Sequence, residues 1–236
     1  MKLVTWNASR GKFSAKVPWL DVVSPDIAIV QEIARPSVDL DGRQTLWFGD
    51  NPDQGVAVIA NAGCKLEPLP QLDGTPKFCY PVQVSGQQSF LLLAIWTLKT
   101  AEHTYVEALF RVIETYRELI EAQATVIAGD FNSNSRFDRD YPADRNHTSF
   151  VERLSLLGLE SAYHLFFCEK QGAETRPTFF HFHHEDKPHH LDYVFLPRSW
   201  TVAEVSVGTF ADWAGKSDHR PVSVEAGPAR PPESSK

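Results

Sequence analysis

Polar side chains that suit phosphate chemistry stand at the ends of apolar runs in this sequence. Four clusters share this position: TWN at 5–7, VQE at 30–32, GDFN at 129–132 and SDH at 217–219. A further acid, Asp192, lies inside the apolar run 190–195. Carboxylates, carboxamides and one imidazole at successive strand ends are the groups that metal-assisted phosphoryl chemistry requires. The sequence therefore predicts one site assembled from distant segments.

The predicted metal ligands are Glu32, Asn7 and Asp218. Glu32 directly follows the apolar residues 27–30, and one or two carboxylates suffice for Mg²⁺, which prefers oxygen ligands and keeps several waters. Asn7 is expected to hold a water on the metal or a phosphate oxygen, and Asp218 to be a second ligand or to orient such a water. The plainer alternatives are a solvated glutamate at a strand end and a turn-forming asparagine.

The predicted catalytic residues are Asp130, Asn132, Asp192, His219 and Asn7. Asp130 and Asn132 are two residues apart, so an extended backbone points both the same way. Asp130 would then orient or deprotonate the attacking water, and Asn132 would donate to the phosphorane oxygens. A carboxylate inside an apolar strand is costly unless it is paired, and His219 is the natural partner of Asp192. Such a pair fixes the imidazole tautomer and favours the imidazolium; the alternative is a satisfied core histidine with its acid.

Composition and charge narrow the class of protein. The 236 residues are 42% hydrophobic and 22% charged, as expected of a soluble globular protein. The formal net charge of -7 argues against strong non-specific DNA binding but leaves room for a local basic patch or a small phosphorylated substrate. Three cysteines without zinc-ligand spacing, and a start that lacks a secretory pattern, predict reduced thiols and a cytoplasmic location. No apolar run approaches the roughly 18 residues of a membrane span, so no membrane partner is expected.

The order of predicted elements suggests two packed sheets with helices outside. Apolar runs predict strands that include 2–6, 27–30, 90–98, 125–128, 178–182, 191–196 and 222–224. Helical spacing of apolar residues predicts helices over 13–23, over 105–121 and after His147. Residues 1–226 are expected to form a single domain, and the Pro-rich tail 227–236 to be disordered.

The ordered set TWN, QE, GDFN, LDY and SDH resembles the endonuclease/exonuclease/phosphatase superfamily, which includes deoxyribonuclease I and exonuclease III. The matching segments run from Asn7 to His219 and so cover nearly the whole chain. The resemblance implies a four-layer α/β sandwich of two packed mixed sheets flanked by helices. It also implies phosphoester hydrolysis with a divalent metal, usually Mg²⁺ with Mn²⁺ as a substitute. The same resemblance implies the Asp192–His219 pair, with His219 on the scissile phosphate or acting as an acid or base.

Two positions depart from the pattern of that family. Thr97 aligns with a histidine of many members, so one phosphate donor is lost or replaced by a hydroxyl. Beside it, Trp96 is expected either to stack on a base or sugar or, as the plainer interpretation, to pack beneath a helix. His190 stands where many relatives carry arginine and is expected to contact substrate phosphate. The surrounding segment is rich in histidine, and His181 and His183 would bind Zn²⁺ if they alternated on a strand; an exposed polar loop is the plainer account.

Three functions fit these residues. The leading hypothesis is a Mg²⁺-dependent phosphodiesterase, most simply a nuclease, that acts by in-line attack of water. The second is a phosphatase or phosphodiesterase for a small molecule such as a nucleotide or inositol phosphate, which the acidic charge favours. The third is a non-catalytic binding module, favoured only by the departure at Thr97. The expected partners are a nucleic acid or a small phosphoester, and no motif indicates an obligate protein partner.

Overall fold

Two mixed six-stranded sheets pack face to face in the computed structural model, which describes residues 1–37 and 42–229. The first sheet runs, in spatial order, β13 (Trp200–Val207), β14 (Val222–Pro228), β1 (Lys2–Asn7), β2 (Ile27–Ile33), β4 (Gln54–Ala60), β3 (Gln44–Asn51). The second runs β5 (Cys64–Pro68), β6 (Cys79–Gly86), β7 (Phe90–Trp96), β8 (Thr125–Asp130), β12 (Asp192–Pro197), β9 (Leu159–Ser161). A separate two-strand ribbon joins β10 (Phe179–Phe180) to β11 (Pro188–His189).

Seven α-helices surround the two sheets within the described residues, and six of them cover the outer faces. They are α1 (Phe13–Lys16), α2 (Pro18–Asp21), α3 (Tyr105–Thr115), α4 (Arg117–Ala122), α5 (His147–Leu156), α6 (Ala162–Phe167), α7 (Phe210–Trp213). One apolar cluster fills the space between the sheets, a second lies under α3 and α5, and a third lies under α1 and α2. This layering of helices, sheet, sheet and helices confirms the expected four-layer α/β sandwich.

Two predicted helices are interrupted. The expected helix 13–23 breaks before Pro18, because proline has no N–H to donate within a helix. The expected helix 105–121 breaks at Tyr116, which adopts φ -99° and ψ 11°. Thr104 and Glu107 form a capping box at the start of α3, which fixes where this helix begins.

The topology brings distant strand ends to one end of the sandwich. β1 and β2 are parallel neighbours, so Asn7 and Glu32 lie at the same edge of the first sheet. In the second sheet, Asp130 ends β8 and is the register partner of Asp192, the first residue of the antiparallel β12. The loop before β14 carries His219 to the same end. These five residues are far apart in the sequence, but the strand order brings them to one end of the sandwich.

The C-terminal strand is longer than predicted. Gly227 and Pro228, expected to belong to a disordered tail, pair with Thr201 and Trp200 of β13. The rest of that expected tail from 230 onward lies outside the described residues. Within 1–37 and 42–229, none of the helices has the length and apolar character needed to cross a bilayer.

Candidate active site

A bulge in β2 turns Glu32 toward the end of the sandwich. The register of β2 with β4 shifts between Val30 and Ile33, and Glu32 adopts a left-handed φ of 52°. Such a conformation costs a non-glycine residue about 1–3 kcal/mol and persists only where neighbours hold it. Oε1 accepts from Asn7 Nδ2 at 3.0 Å and Oε2 accepts from Gln54 Nε2 at 3.2 Å. The side chain remains 23% exposed, so the carboxylate is fixed and still open to solvent.

Asp130 is buried at the end of β8 and accepts three hydrogen bonds from two asparagines. Oδ2 accepts from Asn7 Nδ2 at 2.9 Å and from Asn132 Nδ2 at 3.0 Å, while Oδ1 accepts from Asn132 N at 2.9 Å. Gly129 lets β8 pair closely with β7 at this point, since a Cβ there would lie 1.7 Å from the carbonyl oxygen of Ile95. The two asparagines fix the orientation of the Asp130 carboxylate.

The extended backbone expected beyond Asp130 is not found. Asn132 has a left-handed φ of 47° and folds back over Asp130. Its Nδ2 also donates to the Thr97 carbonyl at 3.2 Å, so both amide hydrogens are engaged within the protein. Asn132 therefore positions the Asp130 carboxylate in this structure, and its expected donation to phosphate stays a prediction.

Asp192 and His219 form the buried acid–imidazole pair expected from the sequence. His219 Nδ1 lies 2.8 Å from Asp192 Oδ2, and the two side chains are 6% and 0% exposed. The backbone N–H of Asp192 donates to Thr178 Oγ1 at 3.1 Å, and that of His219 donates to Ser217 Oγ at 2.9 Å. Nε2 of His219 faces Asp130 Oδ2 across 3.9 Å, too far for a hydrogen bond and close enough for both groups to touch one substrate atom.

The two acids and the imidazole shift one another's protonation. Burial raises the pKa of Asp130 to about 7, against the lowering effects of His219 and of the Asn7 hydrogen bond. Burial acts to lower the pKa of His219, but the carboxylates of Asp192 and Asp130 outweigh it and raise that pKa to about 9. At neutral pH the site therefore holds an imidazolium next to a carboxyl group that can take up a proton, which is the combination acid–base chemistry uses.

Comparison with protein families identifies the chain. The model of the Endonuclease/Exonuclease/phosphatase family matches residues 4–219, from β1 to His219. The chain belongs to this family. Members of the family are phosphoester hydrolases, and the match includes every predicted catalytic residue. A search of curated proteins found no match.

Solved structures share the fold of this family member at low sequence identity. The catalytic domain of APE2 from Xenopus laevis has a TM-score of 0.72 at 14% identity, covering 99% of this chain and 94% of its own. An AP endonuclease from Archaeoglobus fulgidus has a TM-score of 0.71 at 16% identity, covering 95% and 98%. The 3′ phosphatase NExo from Neisseria, bound to a product DNA hairpin, has 0.69 at 17% identity, covering 95% and 98%. At these identities the likeness establishes the fold.

The family depends on a divalent metal, and the oxygen donors around Glu32 fit such an ion. Within the described residues, Asp130, Asp192 and His219 form one group whose ligand atoms lie within 4.8 Å of one another. In that group His219 already donates to Asp192 and all three side chains are buried, which gives poor access for the waters that Mg²⁺ keeps. Glu32 is partly exposed and is linked to Asp130 by the Asn7 amide. A hard cation such as Mg²⁺ therefore fits better near Glu32 than among Asp130, Asp192 and His219.

Asn7 has well-defined hydrogen-bond partners, whereas Asp218 has few. Asn7 donates both amide hydrogens to carboxylates, one in each sheet, and its Oδ1 accepts from Ser9 N at 2.9 Å. Asp218 is partly exposed and accepts a long hydrogen bond from Ser217 Oγ at 3.4 Å. It also lies near Lys16. Burial lowers the pKa of Lys16, and the Asp218 carboxylate opposes part of that effect. Their metal roles stay predictions.

Thr97 and Trp96 are both about 3% exposed. Thr97 Oγ1 donates to the carbonyl of Phe131 at 2.6 Å, so its hydrogen is used by the backbone. Trp96 lies in the cluster between the sheets, with its ring 4.6 Å from that of Phe78. Its burial favours packing over stacking on a substrate, but Trp96 packs between the sheets and not beneath a helix as expected.

His190 lies two residues before β12, outside the strand, and is buried. It is 3% exposed; its Nδ1 lies 3.0 Å from the Arg176 carbonyl and its ring 4.4 Å from Tyr163. Burial lowers the pKa of His190, which favours the neutral imidazole. The residue supports the segment that carries Thr178, and its expected contact with phosphate has no support in this geometry.

The histidine-rich segment is not the strand that a His181/His183 zinc site would require. Residues His181–His183 form a short 3₁₀ turn, and Phe182 in its middle has a left-handed φ of 55°. Neither histidine belongs to the three-ligand group found in the described part of the chain. The predicted alternation on a strand is therefore wrong, and an exposed turn connects β10 to β11.

Two supporting residues were missed by sequence reasoning. Thr178 accepts from the backbone N–H groups of Leu191 and Asp192, and Gln54 donates to Glu32 from the neighbouring strand. No local pattern marks either one, because each acts through a partner at least thirteen positions away. A threonine directly after Pro177 gives only a weak signal for a side chain that holds a backbone.

Proposed function

We propose that this chain is a Mg²⁺-dependent phosphodiesterase that cleaves phosphodiester bonds of nucleic acids by attack of water. The observation that carries the proposal is the 3.9 Å gap between Asp130 Oδ2 and His219 Nε2, beside the partly exposed Glu32. A water held by Asp130 Oδ2 and a phosphate oxygen held by His219 Nε2 would then lie next to each other. An activated water beside a held phosphate is what attack at phosphorus requires.

Each group in the gap has a defined task. Asp130 accepts the proton of the attacking water, and a pKa of about 7 suits a base that works near neutral pH. Asn7 and Asn132 hold its carboxylate through their amide hydrogens. His219, kept protonated by Asp192, donates from Nε2 to a phosphate oxygen beside the attacking water. The leaving oxygen departs on the opposite side of phosphorus and takes its proton from solvent. A divalent cation held by Glu32 and the neighbouring side of Asp130 would supply Lewis-acid stabilisation of the phosphate charge.

A basic cleft lined in part by the residues that follow β2 supports a nucleic-acid substrate over a small ester. This cleft has a volume of about 520 Å³, and its lining includes Lys12, Arg35 and Asp53. The Arg35 guanidinium lies 4.9 Å from the centre of the Trp47 ring, which restrains the cation. Arg10, 76% exposed, adds a third cation 3.9 Å from Glu32. A local basic surface on an acidic chain suits a phosphodiester backbone that passes the site.

Two of the similar structures also favour DNA. By their own descriptions, one is an AP endonuclease and another is a 3′ phosphatase with product DNA. The runner-up is a phosphatase or phosphodiesterase for a small molecule, which the net charge of -7 favours. The two functions differ in the substrate that the cleft must accommodate, so a substrate panel separates them.

The test is a panel of metals against substrates. Mg²⁺, Mn²⁺ and Ca²⁺ are each combined with single-stranded, duplex and abasic DNA, RNA, a bis-aryl phosphodiester and inositol phosphates. We expect cleavage of nucleic acid and of the aryl diester with Mg²⁺ or Mn²⁺, and its loss in Asp130→Asn and His219→Ala. Turnover of inositol phosphates alone would establish the runner-up, and a folded protein that cleaves nothing in the panel would refute both.

A further inference from the structure

An unbroken series of aromatic rings leads from the catalytic imidazole to the solvent. The ring of His219 lies 4.6 Å from Phe179, Phe179 lies 5.9 Å from His181, and His181 lies 4.0 Å from Phe182, measured between ring centroids. We call these four side chains the ring row. It starts at the imidazole on which a phosphate oxygen is proposed to lie and ends at the tip of the β10–β11 ribbon.

The outer end of the ring row is uncovered. Phe182 is 70% exposed, unlike the buried aromatic residues of the cores. Phe182 and His183 both have left-handed φ, at 55° and 58°, which is costly for bulky residues and is concentrated at functional positions. The turn is held in this form by hydrogen bonds from His181 N to Lys187 O and from His184 N to His181 O, both 3.1 Å. The ribbon thus presents a phenyl ring to solvent in a defined position.

The ribbon is fastened to the catalytic loop on both sides of His219. Phe180 N donates to the Asp218 carbonyl at 2.9 Å, and Arg220 N donates to the Thr178 carbonyl at 2.6 Å. The Arg220 guanidinium is buried between the rings of Phe180 and Phe210, 4.6 and 4.9 Å from their centroids. Because these contacts tie the two segments together, the ring row keeps a fixed position relative to the imidazole.

The charges at the ribbon tip disfavour a phosphate backbone there. Glu185, Asp186 and Lys187 are all exposed and leave the tip with a formal charge of about -1 when its histidines are neutral. The basic cleft is lined in part by Ala34 and Arg35, which follow β2, whereas the ring row begins at His219. A nucleic-acid strand that crosses the site can therefore place phosphates on the basic side and turn bases toward the rings.

We propose that the ring row binds unpaired bases of a nucleic-acid strand, which makes single strands or frayed ends the substrate. This inference rests on the proposed function for the position of the scissile phosphate. Phenyl and imidazole rings offer flat faces for any base, and stacking on such rings is the usual means of holding single strands. Bases inside a duplex stack on each other and cannot present their faces. A duplex would also bring phosphates toward Glu185 and Asp186.

Binding without cleavage tests the inference directly. The affinity of the full chain for a short labelled oligonucleotide is measured by fluorescence anisotropy in EDTA, as a single strand and as a blunt duplex. We expect Phe182→Ala to weaken single-strand binding by about 5- to 150-fold, the range given by loss of one stacked base, and to change duplex binding far less. Phe182→Trp keeps a ring and should retain the affinity. The matched control is Phe166→Ala, which removes another exposed ring, on α6, and should change neither affinity.

The outcomes separate this inference from the proposed function. If Phe182→Ala leaves single-strand affinity unchanged, or weakens duplex binding equally, the ring row does not read unpaired bases. Hydrolysis of the aryl diester by the unmodified chain tests the proposed function independently of the ribbon. If the chain cleaves no diester but binds single strands through Phe182, the proposed phosphodiesterase function is refuted. The proposed binding of unpaired bases by the ring row is then still supported.

Discussion

His147 should make the stability of this protein fall in acid. The side chain is 1% exposed; Nδ1 lies 3.0 Å from Ser133 Oγ, and Nε2 is buried without a hydrogen-bond partner among the described residues. Burial lowers its pKa from 6.5 to about 4. Because the unfolded chain takes up this proton near pH 6.5 and the folded chain only near pH 4, the stabilising contribution is complete above 6.5 and is lost as pH falls between these values. A difference of that size corresponds to about 3 kcal/mol.

Three other groups change the stability as the pH falls. Asp130, with a pKa raised to about 7, stabilises the fold increasingly as pH falls from 7 to its ordinary value of 3.8, so it opposes His147. Glu174 and Glu169, with pKa values lowered to about 2, lose their contributions only below about pH 4.5. The raw stability profile therefore mixes opposing effects.

A variant isolates the contribution of His147. Urea unfolding of the unmodified chain and of His147→Gln is measured from pH 7.5 to pH 4. Glutamine can still hydrogen-bond to Ser133 but does not titrate, so the stability advantage of the unmodified chain should shrink by about 3 kcal/mol across this range. An advantage of His147 that stays constant with pH would refute this reasoning.

Three further predictions concern the site and its support. Asp192→Asn should lower kcat by on the order of 10⁴-fold with a small change in KM, because the imidazole loses the carboxylate that sets its tautomer; steady-state kinetics checks this, and the exposed Asp73→Asn, which removes the same charge, should leave kcat unchanged. Glu32→Gln should raise the Mg²⁺ concentration for half-maximal activity by more than about 10-fold, because a neutral amide binds Mg²⁺ more weakly than a carboxylate; an unshifted metal titration would remove Glu32 from the metal site. Gly129→Ala should lower the free energy of unfolding by more than about 3 kcal/mol, because the new Cβ would meet the Ile95 carbonyl at 1.7 Å. Gly158→Ala, with positive φ but no atom within 4 Å, should cost only about 1 kcal/mol in the same urea titration.

The strand ends of this site could be predicted from the sequence because they follow from local patterns. Apolar runs locate β1, β2, β8 and β12, and parallel or antiparallel pairing then brings Asn7, Glu32, Asp130 and Asp192 to one end. The buried acid inside an apolar run needs a partner, which points to His219. Such inferences need only strand periodicity and the cost of burying an unpaired charge.

The details that sequence reasoning missed depend on backbone conformation and non-local contacts. The left-handed turn at Asn132 and the bulge at Glu32 have no sequence signature as clear as a glycine. The expected contact of His190 with phosphate stays a prediction, because its ring is buried and its Nδ1 lies 3.0 Å from the Arg176 carbonyl. Residues 178–182 carry strand-forming side chains, yet the pairing ends at Phe180, where the chain turns to join β11.

Asn7 makes catalysis depend on the packing of the two sheets against each other. Its amide joins Glu32 in one sheet to Asp130 in the other, 123 positions along the chain. The strands of each sheet can pair with one another without this link. A collapsed state with native-like secondary structure and loose side-chain packing would therefore have both carboxylates and no working site. During unfolding, activity should vanish with the near-ultraviolet circular dichroism signal and ahead of the far-ultraviolet one.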